Sequence, residues 1–199
     1  MANAFYQVPP PTNEPILNYR SGSPERKALK AALAAYKNEV HDLPMYINGE
    51  WVSTSNKVEI HPPHEKKHVL AHFSKGDSKH VHAAIDAALG AQAAWERMPW
   101  QDRAAVFLKA ADLISGPYRA RMNAATMLGQ SKNVYQAEID CVAELADFLR
   151  FNVQYMTEIY QQQPNSSPTV WNRMEYRPLE GFVFAITPFN FTAIAGNLP

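Results

Sequence analysis

The chemistry open to this sequence is concentrated in a few short stretches. Cys141 and Glu144 are three residues apart in a helical stretch. That spacing puts a thiol and a carboxylate on nearly one face, as a nucleophile and an acidic partner would need. Asn190 stands in Thr187-Pro188-Phe189-Asn190-Phe191, just after the apolar run Gly181–Ile186. Its carboxamide N–H groups can point at an oxygen that is developing negative charge. Pro188 stiffens the exit from the run and removes a backbone donor. His61, His64, His68 and His72 cluster in sequence at a spacing that zinc ligands also use.

Each stretch also has a plainer reading. Cys141 is in line with Ala137, Leu145 and Phe148 on the apolar stripe, and buried cysteine is commonly a small hydrophobe. No histidine or helix N-terminus lies near it in sequence to lower its pKa. A carboxylate such as Glu144 on a long surface helix is usually solvated. Pro62-Pro63 and the alternation of His68–Phe73 favour loop and strand over a ligand-bearing helix, so the histidines read as solvated and no metal is expected. The Pro-Phe-Asn-Phe string alone is equally a turn with packed aromatics. Gly129-Gln130-Ser131 reads as a helix end.

The elements that must position these residues follow from local signals. Residues 1–22 are rich in proline and polar side chains and read as an extended arm. Ser23-Pro24-Glu25 opens a helix, with a capping hydroxyl, a proline at the first position and an acid at the positive end; this helix is expected to run to about His41. Asn48-Gly49 between apolar runs predicts a hairpin over Met45–Val52, because a type I′ turn needs positive φ twice. Lys57–Ile60 and His68–Phe73 alternate as short strands. From Asp77, a plausible cap, the period becomes helical, with Val81, Ala84, Ile85, Ala88, Leu89 and Trp95 on one face. Pro99 breaks that helix. Gln101–Ser115 follows, expected to bury Val106, Phe107, Leu108, Ala111 and Ile114, and ends at Gly116-Pro117. Further helices cover about Tyr118–Leu128 and about Val134–Gln162, the latter with Leu145, Phe148, Leu149 and Tyr155 on its apolar side. Gln161–Pro168 is a polar break. Thr169–Arg177 reads as a strand, Gly181–Ile186 as a strand buried on both faces, and Asn190 begins a turn toward a helix.

Composition sets limits on function. With 199 residues, 46% of them hydrophobic, the chain can bury a core. Lys plus Arg and Asp plus Glu number 19 each, and there is no basic block, so a nucleic-acid partner is not expected. No apolar run approaches membrane-spanning length. The N-terminus lacks secretory and mitochondrial leader patterns, which favours the cytoplasm; a mature mitochondrial matrix protein is the alternative. The single cysteine excludes an internal disulfide. Trp51, Trp95, Trp100 and Trp171 are expected to pack rather than to stack on bases or sugars.

The stretch Pro178–Pro199, with Thr187-Pro188-Phe189-Asn190-Phe191 at its centre, resembles the Pro-aromatic-Asn-aromatic turn of the aldehyde dehydrogenase superfamily. Ser21–Leu29 (SGSPERKAL), Phe107–Pro117 (FLKAADLISGP) and Gln136–Asn152 (QAEIDCVAELADFLRFN) narrow the resemblance to the pyrroline-5-carboxylate dehydrogenases. These stretches spread from Ser21 to Leu198. The resemblance implies an α/β, aldehyde-dehydrogenase-like fold, here its N-terminal portion: helices and small hairpins plus the first strand of the dinucleotide-binding sheet. It implies residues 1–168 as arm, hairpin and helical part, 169–177 as a strand of an oligomerisation sheet, and 178–199 as the start of the dinucleotide sheet.

It further implies a reaction. A cysteine thiolate attacks the aldehyde of L-glutamate γ-semialdehyde, hydride passes to NAD, and a glutamate-activated water releases L-glutamate, in proline catabolism. By motif, Asn190 is the oxyanion donor. Ile186, Thr187, Pro188 and Phe189 line the cofactor, Phe191 lies beside the substrate, and Glu144 stands at the substrate entrance. The sequence has no Gly-x-Gly-x-x-Gly, so NAD follows from the resemblance alone. The family's nucleophile, general base, ribose-binding lysine and carboxylate-binding loop have no counterpart here. The chain is therefore expected to be an inactive fragment, marginal or aggregation-prone alone, of a protein that assembles as a dimer or larger. The rival readings are a dehydrogenase for another aldehyde, and a non-catalytic remnant that binds a partner through 169–177 or the arm.

Overall fold

The structure, a computed structural model, describes residues 7–197. Residues 1–6 of the expected arm and Leu198-Pro199 of the motif stretch lie outside the described residues.

Helix α1 spans Pro24–Asn38, capped by Ser23, whose Oγ accepts from the Arg26 N–H. It ends short of the expected His41 because His41–Leu43 is recruited as strand β1, pairing in parallel with β5 (Ala71–Ser74). Met45–Ile47 (β2) and Glu50–Val52 (β3) form the expected hairpin. Asn48 (φ 52°) and Gly49 (φ 82°) supply the two positive-φ positions that its turn demands. Lys57–Ile60 (β4) is antiparallel to β5, which makes a three-stranded sheet in the order β1-β5-β4. The strand expected from His68 begins only at Ala71, since the His68 N–H closes a turn onto the Glu65 carbonyl.

Asp77 caps α2 (Ser78–Arg97) in a reciprocal box with His80. The apolar face of α2 is present, yet the helix has no buried residue, and Val81, Leu89 and Trp95 are exposed. Pro99 starts α3 (Trp100–Ser115), which Gly116 ends. Of the side chains expected to be buried there, Ala111 is, Leu108 and Ile114 are half-buried, and Val106 and Phe107 are exposed. Helix α4 covers Arg119–Gln130.

The long helix expected over Val134–Gln162 is not uniform. It opens as α5 (Val134–Ala137), widens into a π-helical turn at Glu138–Ala143, and resumes as α6 (Glu144–Gln161). The Glu144 N–H reaches back five residues to the Ile139 carbonyl, which defines the wide turn. Leu145 and Leu149 are buried as expected, whereas Phe148 and Tyr155 face outward.

The core lies where α3 and α6 meet: Ala111, Leu145, Ala146 and Leu149 pack there with Ile194 of α7 (Ile194–Asn197). Small residues at Ala111 and Ala146 let the two helices approach closely. A second cluster joins Tyr19 of the arm to Leu29 of α1 and Ala124 of α4.

Beyond α6 the expected turn at Asn190 leads toward α7, but neither expected strand forms among the described residues. Apart from the bridge between Ser167 and Val170, residues 169–177 make no ladder pairing among the described residues. Gly181–Ile186 is neither a strand nor buried; Ile186 is 84% exposed. A strand needs a neighbour to satisfy its N–H and C=O groups, and the described residues place none beside this run. Trp51 packs against the Tyr46 ring at 4.7 Å across the hairpin, as expected, whereas Trp171 is 90% exposed.

Candidate functional site

The motif turn is pinned from two sides. Gln130, the last residue of α4, donates from Nε2 to the Phe189 carbonyl at 3.2 Å. Lys132 donates from Nζ to the Asn190 carbonyl at 2.7 Å. The same ammonium is 2.6 Å from Asp140 Oδ2 on the π-helical turn and 4.7 Å above the Phe191 ring. Phe191 packs against the α3/α6 core beside Ala193 and Ala195. The backbone of the turn is thus held while its outer residues are open, with Phe189 96% exposed. The Asn190 carboxamide is exposed and makes no hydrogen bond among the described residues, so both N–H donors can meet a ligand.

Of the expected cofactor-lining residues, Ile186, Thr187, Pro188 and Phe189 all lie exposed on this one extended approach to the turn. Glu144 is exposed at the first position of α6, next to Leu145, whose side chain belongs to the cluster that receives Phe191. Phe191 and Leu145, the sequence neighbours of Asn190 and Glu144, meet in the α3/α6 core. Cys141 is 1% exposed and donates from Sγ to the Met122 carbonyl at 3.6 Å. Burial pushes the Cys141 thiol up from its ordinary value, the opposite of an activated nucleophile.

Among the described residues no group of three or more histidine, cysteine or acidic side chains is placed to hold a metal. His61 donates from Nδ1 to the His68 carbonyl at 2.9 Å, and His64 Nδ1 lies 2.7 Å from Ser131 Oγ. His61 and His72 flank Glu59 at 3.2 and 3.8 Å. A cavity of about 890 Å³ lined by Trp100, Tyr160, Trp171 and Tyr176 contains none of the expected site residues.

The sequence reading missed the polar cluster behind the π-helical turn. Glu138, 0% exposed, accepts from Tyr19 Oη at 2.6 Å, from Asn123 Nδ2 at 2.8 Å and from the Leu17 N–H at 2.9 Å, and pairs with the Arg119 guanidinium. Arg119 also donates to the Pro15 carbonyl and to Glu14, which pairs with Arg150. Burial alone would push the Glu138 carboxyl up. The hydrogen bonds from Arg119, Tyr19, Leu17 and Asn123 outweigh it and hold the group below the ordinary carboxylate range. Glu14 is likewise held low, its burial outweighed by Arg150 and Arg119. Burial, together with the neighbouring Glu138 carboxylate, pushes the Tyr19 hydroxyl well above its ordinary value. Glu138 and Asp140 thus use the same wide turn in different directions: one locks the arm, the other anchors the lysine that holds Asn190.

Residues 51–196 match the aldehyde dehydrogenase family. The Delta-1-pyrroline-5-carboxylate dehydrogenase of Agaricus bisporus is 55% identical over 198 residues, 98% of this chain and 36% of that protein. The mitochondrial Delta-1-pyrroline-5-carboxylate dehydrogenase of Homo sapiens is 50% identical over 186 residues, 94% of this chain and 33% of that protein. The crystal structure of the Delta-pyrroline-5-carboxylate dehydrogenase from Mycobacterium tuberculosis bound with NAD superposes with a TM-score of 0.96 at 50% identity, over 100% of this chain and 37% of that one. The chain spans 33–36% of the length of these curated relatives. The superposition bears out the expected architecture, the N-terminal portion of that mixed α/β fold.

Proposed function

Because the chain belongs to the aldehyde dehydrogenase family, we propose that the protein oxidises L-glutamate γ-semialdehyde, the open form of Δ1-pyrroline-5-carboxylate, to L-glutamate with NAD. The observation that carries this reading is Asn190: an exposed, unengaged carboxamide on a turn whose backbone is fixed by Gln130 and Lys132. Such a donor costs no reorganisation when an aldehyde oxygen takes on charge, and is worth roughly 2.7–4 kcal/mol in the transition state. Phe191, half-buried on the core, offers its exposed part to the substrate chain. Glu144 at the start of α6 can meet the amino group of the substrate.

The residues present fit a dinucleotide. Ile186 and Phe189 expose apolar side chains on one approach to Asn190, a surface on which a flat ring can lie, and Thr187 adds a hydroxyl. When bound there, NAD would accept the hydride. Ile186–Phe189 would orient it and exclude water from one side. The thiolate that the family's reaction requires is not among these residues, since Cys141 is buried and facing a carbonyl. The 199-residue chain alone is therefore expected to be inactive.

For assembly, we read 169–177 as a strand that pairs with a second copy. The exposed side chains of Val170, Trp171 and Met174 support this. The compartment is read as the cytoplasm. The mitochondrial matrix is its rival because the Emericella nidulans and human relatives are named as mitochondrial; fractionation separates the two. No described helix is long and apolar enough to cross a membrane.

The test is NADH formation from Δ1-pyrroline-5-carboxylate and NAD by the product of the complete reading frame, beside the 199-residue chain. Activity of the complete product, absent from the short chain, supports the reading. Activity with an aliphatic aldehyde but not with pyrroline-5-carboxylate moves the assignment to another aldehyde, and activity in neither sinks it. In the active protein, Glu144→Ala raises KM for the substrate with little change in KM for NAD. An equal loss with unrelated aldehydes would mean folding damage instead.

A further inference from the structure

Lys132 is the residue of the site that no motif marks. Its side chain is only 17% exposed, which is unusual for a lysine. It has committed its ammonium to the Asn190 carbonyl at 2.7 Å, to Asp140 at 2.6 Å and to the Phe191 ring at 4.7 Å. Each contact lands on the motif turn or on the π-helical turn beside it.

Two local features aim this side chain, and both carry a cost. Ser131 caps α4 in the left-handed conformation at φ 56°, which is sterically unfavourable for a non-glycine residue. That conformation turns the chain sharply between Gln130 and Lys132, so that adjacent side chains reach adjacent carbonyls, Phe189 and Asn190. Asp140 stands on a π-helical turn, a form found mostly as single bulges and often at functional sites. A solvated surface lysine would need neither feature.

Resting on the function proposed above, we infer that Lys132, anchored by Asp140, is a positioning residue: it fixes the peptide after Asn190 and thereby the reach of the Asn190 carboxamide toward the aldehyde oxygen. The carboxamide is one rotatable side chain removed from that peptide. A free Asn190 carbonyl would let the peptide plane rock, and the donor would swing with it. Asp140 neutralises and orients the ammonium, so that a buried cation is not left unpaired.

The experiment uses the product of the complete reading frame and compares Lys132→Met, Lys132→Arg and Asp140→Asn with wild type, alone and combined with Asn190→Ala. The expected result is a fall in kcat of roughly ten- to a hundredfold for Lys132→Met, the order that follows a misplacement of ~1 Å. KM for NAD should stay nearly unchanged, since an interaction felt only in the transition state shows in kcat. Lys132→Arg, which keeps charge and donors, restores part of the loss. In the Asn190→Ala background Lys132→Met costs nothing further, because both act through one amide. Additive losses, or a fall tracked by the unfolding midpoint, would show a purely structural lysine and overturn the inference. Hydrogen exchange supplies an arm that needs no activity. Amides of 189–196 should exchange faster in Lys132→Met and Asp140→Asn, with α6 unchanged; an unaltered pattern also overturns it. If wild type forms no NADH, the proposed function falls, and the exchange arm alone decides whether Lys132 holds the turn.

Discussion

The arm at residues 13–19 and the segment at 171–189 are both irregular chain, and their fates are opposite. The arm stays largely at the surface, with only Tyr19 buried, yet its polar groups are engaged: the Leu17 N–H, the Tyr19 hydroxyl, the Pro15 carbonyl and the Glu14 carboxylate each find a partner on α4, α6 or the π-helical turn. The later segment carries Trp171, Phe184, Ile186 and Phe189, all large and apolar, and leaves them exposed. Burial here follows the availability of a matching surface within the same residues, not the hydropathy of the segment. The first region has its anchoring groups matched among these residues. The second leaves its large apolar side chains uncovered by the described residues.

The largest test of that contrast is Arg119→Ala. It leaves the Glu138 carboxylate fully buried without its cation, at a cost of about 3–5 kcal/mol. The check is a lower urea midpoint at unchanged slope; an unchanged midpoint would mean that the arm clamp contributes little and the contrast is false. A middle-sized effect is expected in acid. Glu138 and Glu14 sit below their ordinary values when folded, so the unfolded chain takes up protons first. Their contribution is complete above the ordinary glutamate value of about 4.3 and is lost as pH falls through the lower folded values. The urea midpoint should therefore hold near neutrality and drop below about pH 4, with a shallower drop in Glu138→Gln. An identical acid limb in both proteins would remove Glu138 as its cause. The smallest effect is expected in the open region. Trp171→Ser in the 199-residue chain should change stability by less than about 0.5 kcal/mol. A loss as large as that of Arg119→Ala would show that Trp171 is already buried.

What was legible in the sequence was local. Ser23, Asp77, Pro99, Gly116 and Asn48-Gly49 each act on backbone within a few residues, and each marks the element it was read to mark. What was not legible depends on distant partners. His41–Leu43 is a strand only because Ala71–Phe73 lies beside it. Glu138 reads as one more helix acid, since its partners come from residues 17, 19, 119 and 123. Nothing in residue type separates the π-helical turn from the α-helix around it. The apolar stripes were read correctly as stripes. However, periodicity says that a face is apolar, not that the same residues supply its cover, hence the exposed Val81, Val106, Phe107, Phe148 and Tyr155.

At the site, the Pro-Phe-Asn-Phe string located the turn, but its supports were hidden at a helix end that seemed inert in sequence. Gln130 and Lys132 flank that end. A partial signal was available: Asn133 and Gln136 form a capping box that restarts the helix at once, which makes Gln130–Asn133 a tight, ordered corner rather than a fraying terminus.

The central claim is that Asn190 carries the chemistry of these residues, and the most direct measurement is kcat for Asn190→Ala in the product of the complete reading frame, with pyrroline-5-carboxylate and saturating NAD. A fall of about 10²–10³-fold with little change in KM for NAD is the predicted result. An unchanged kcat would contradict the account and remove Asn190 from the mechanism.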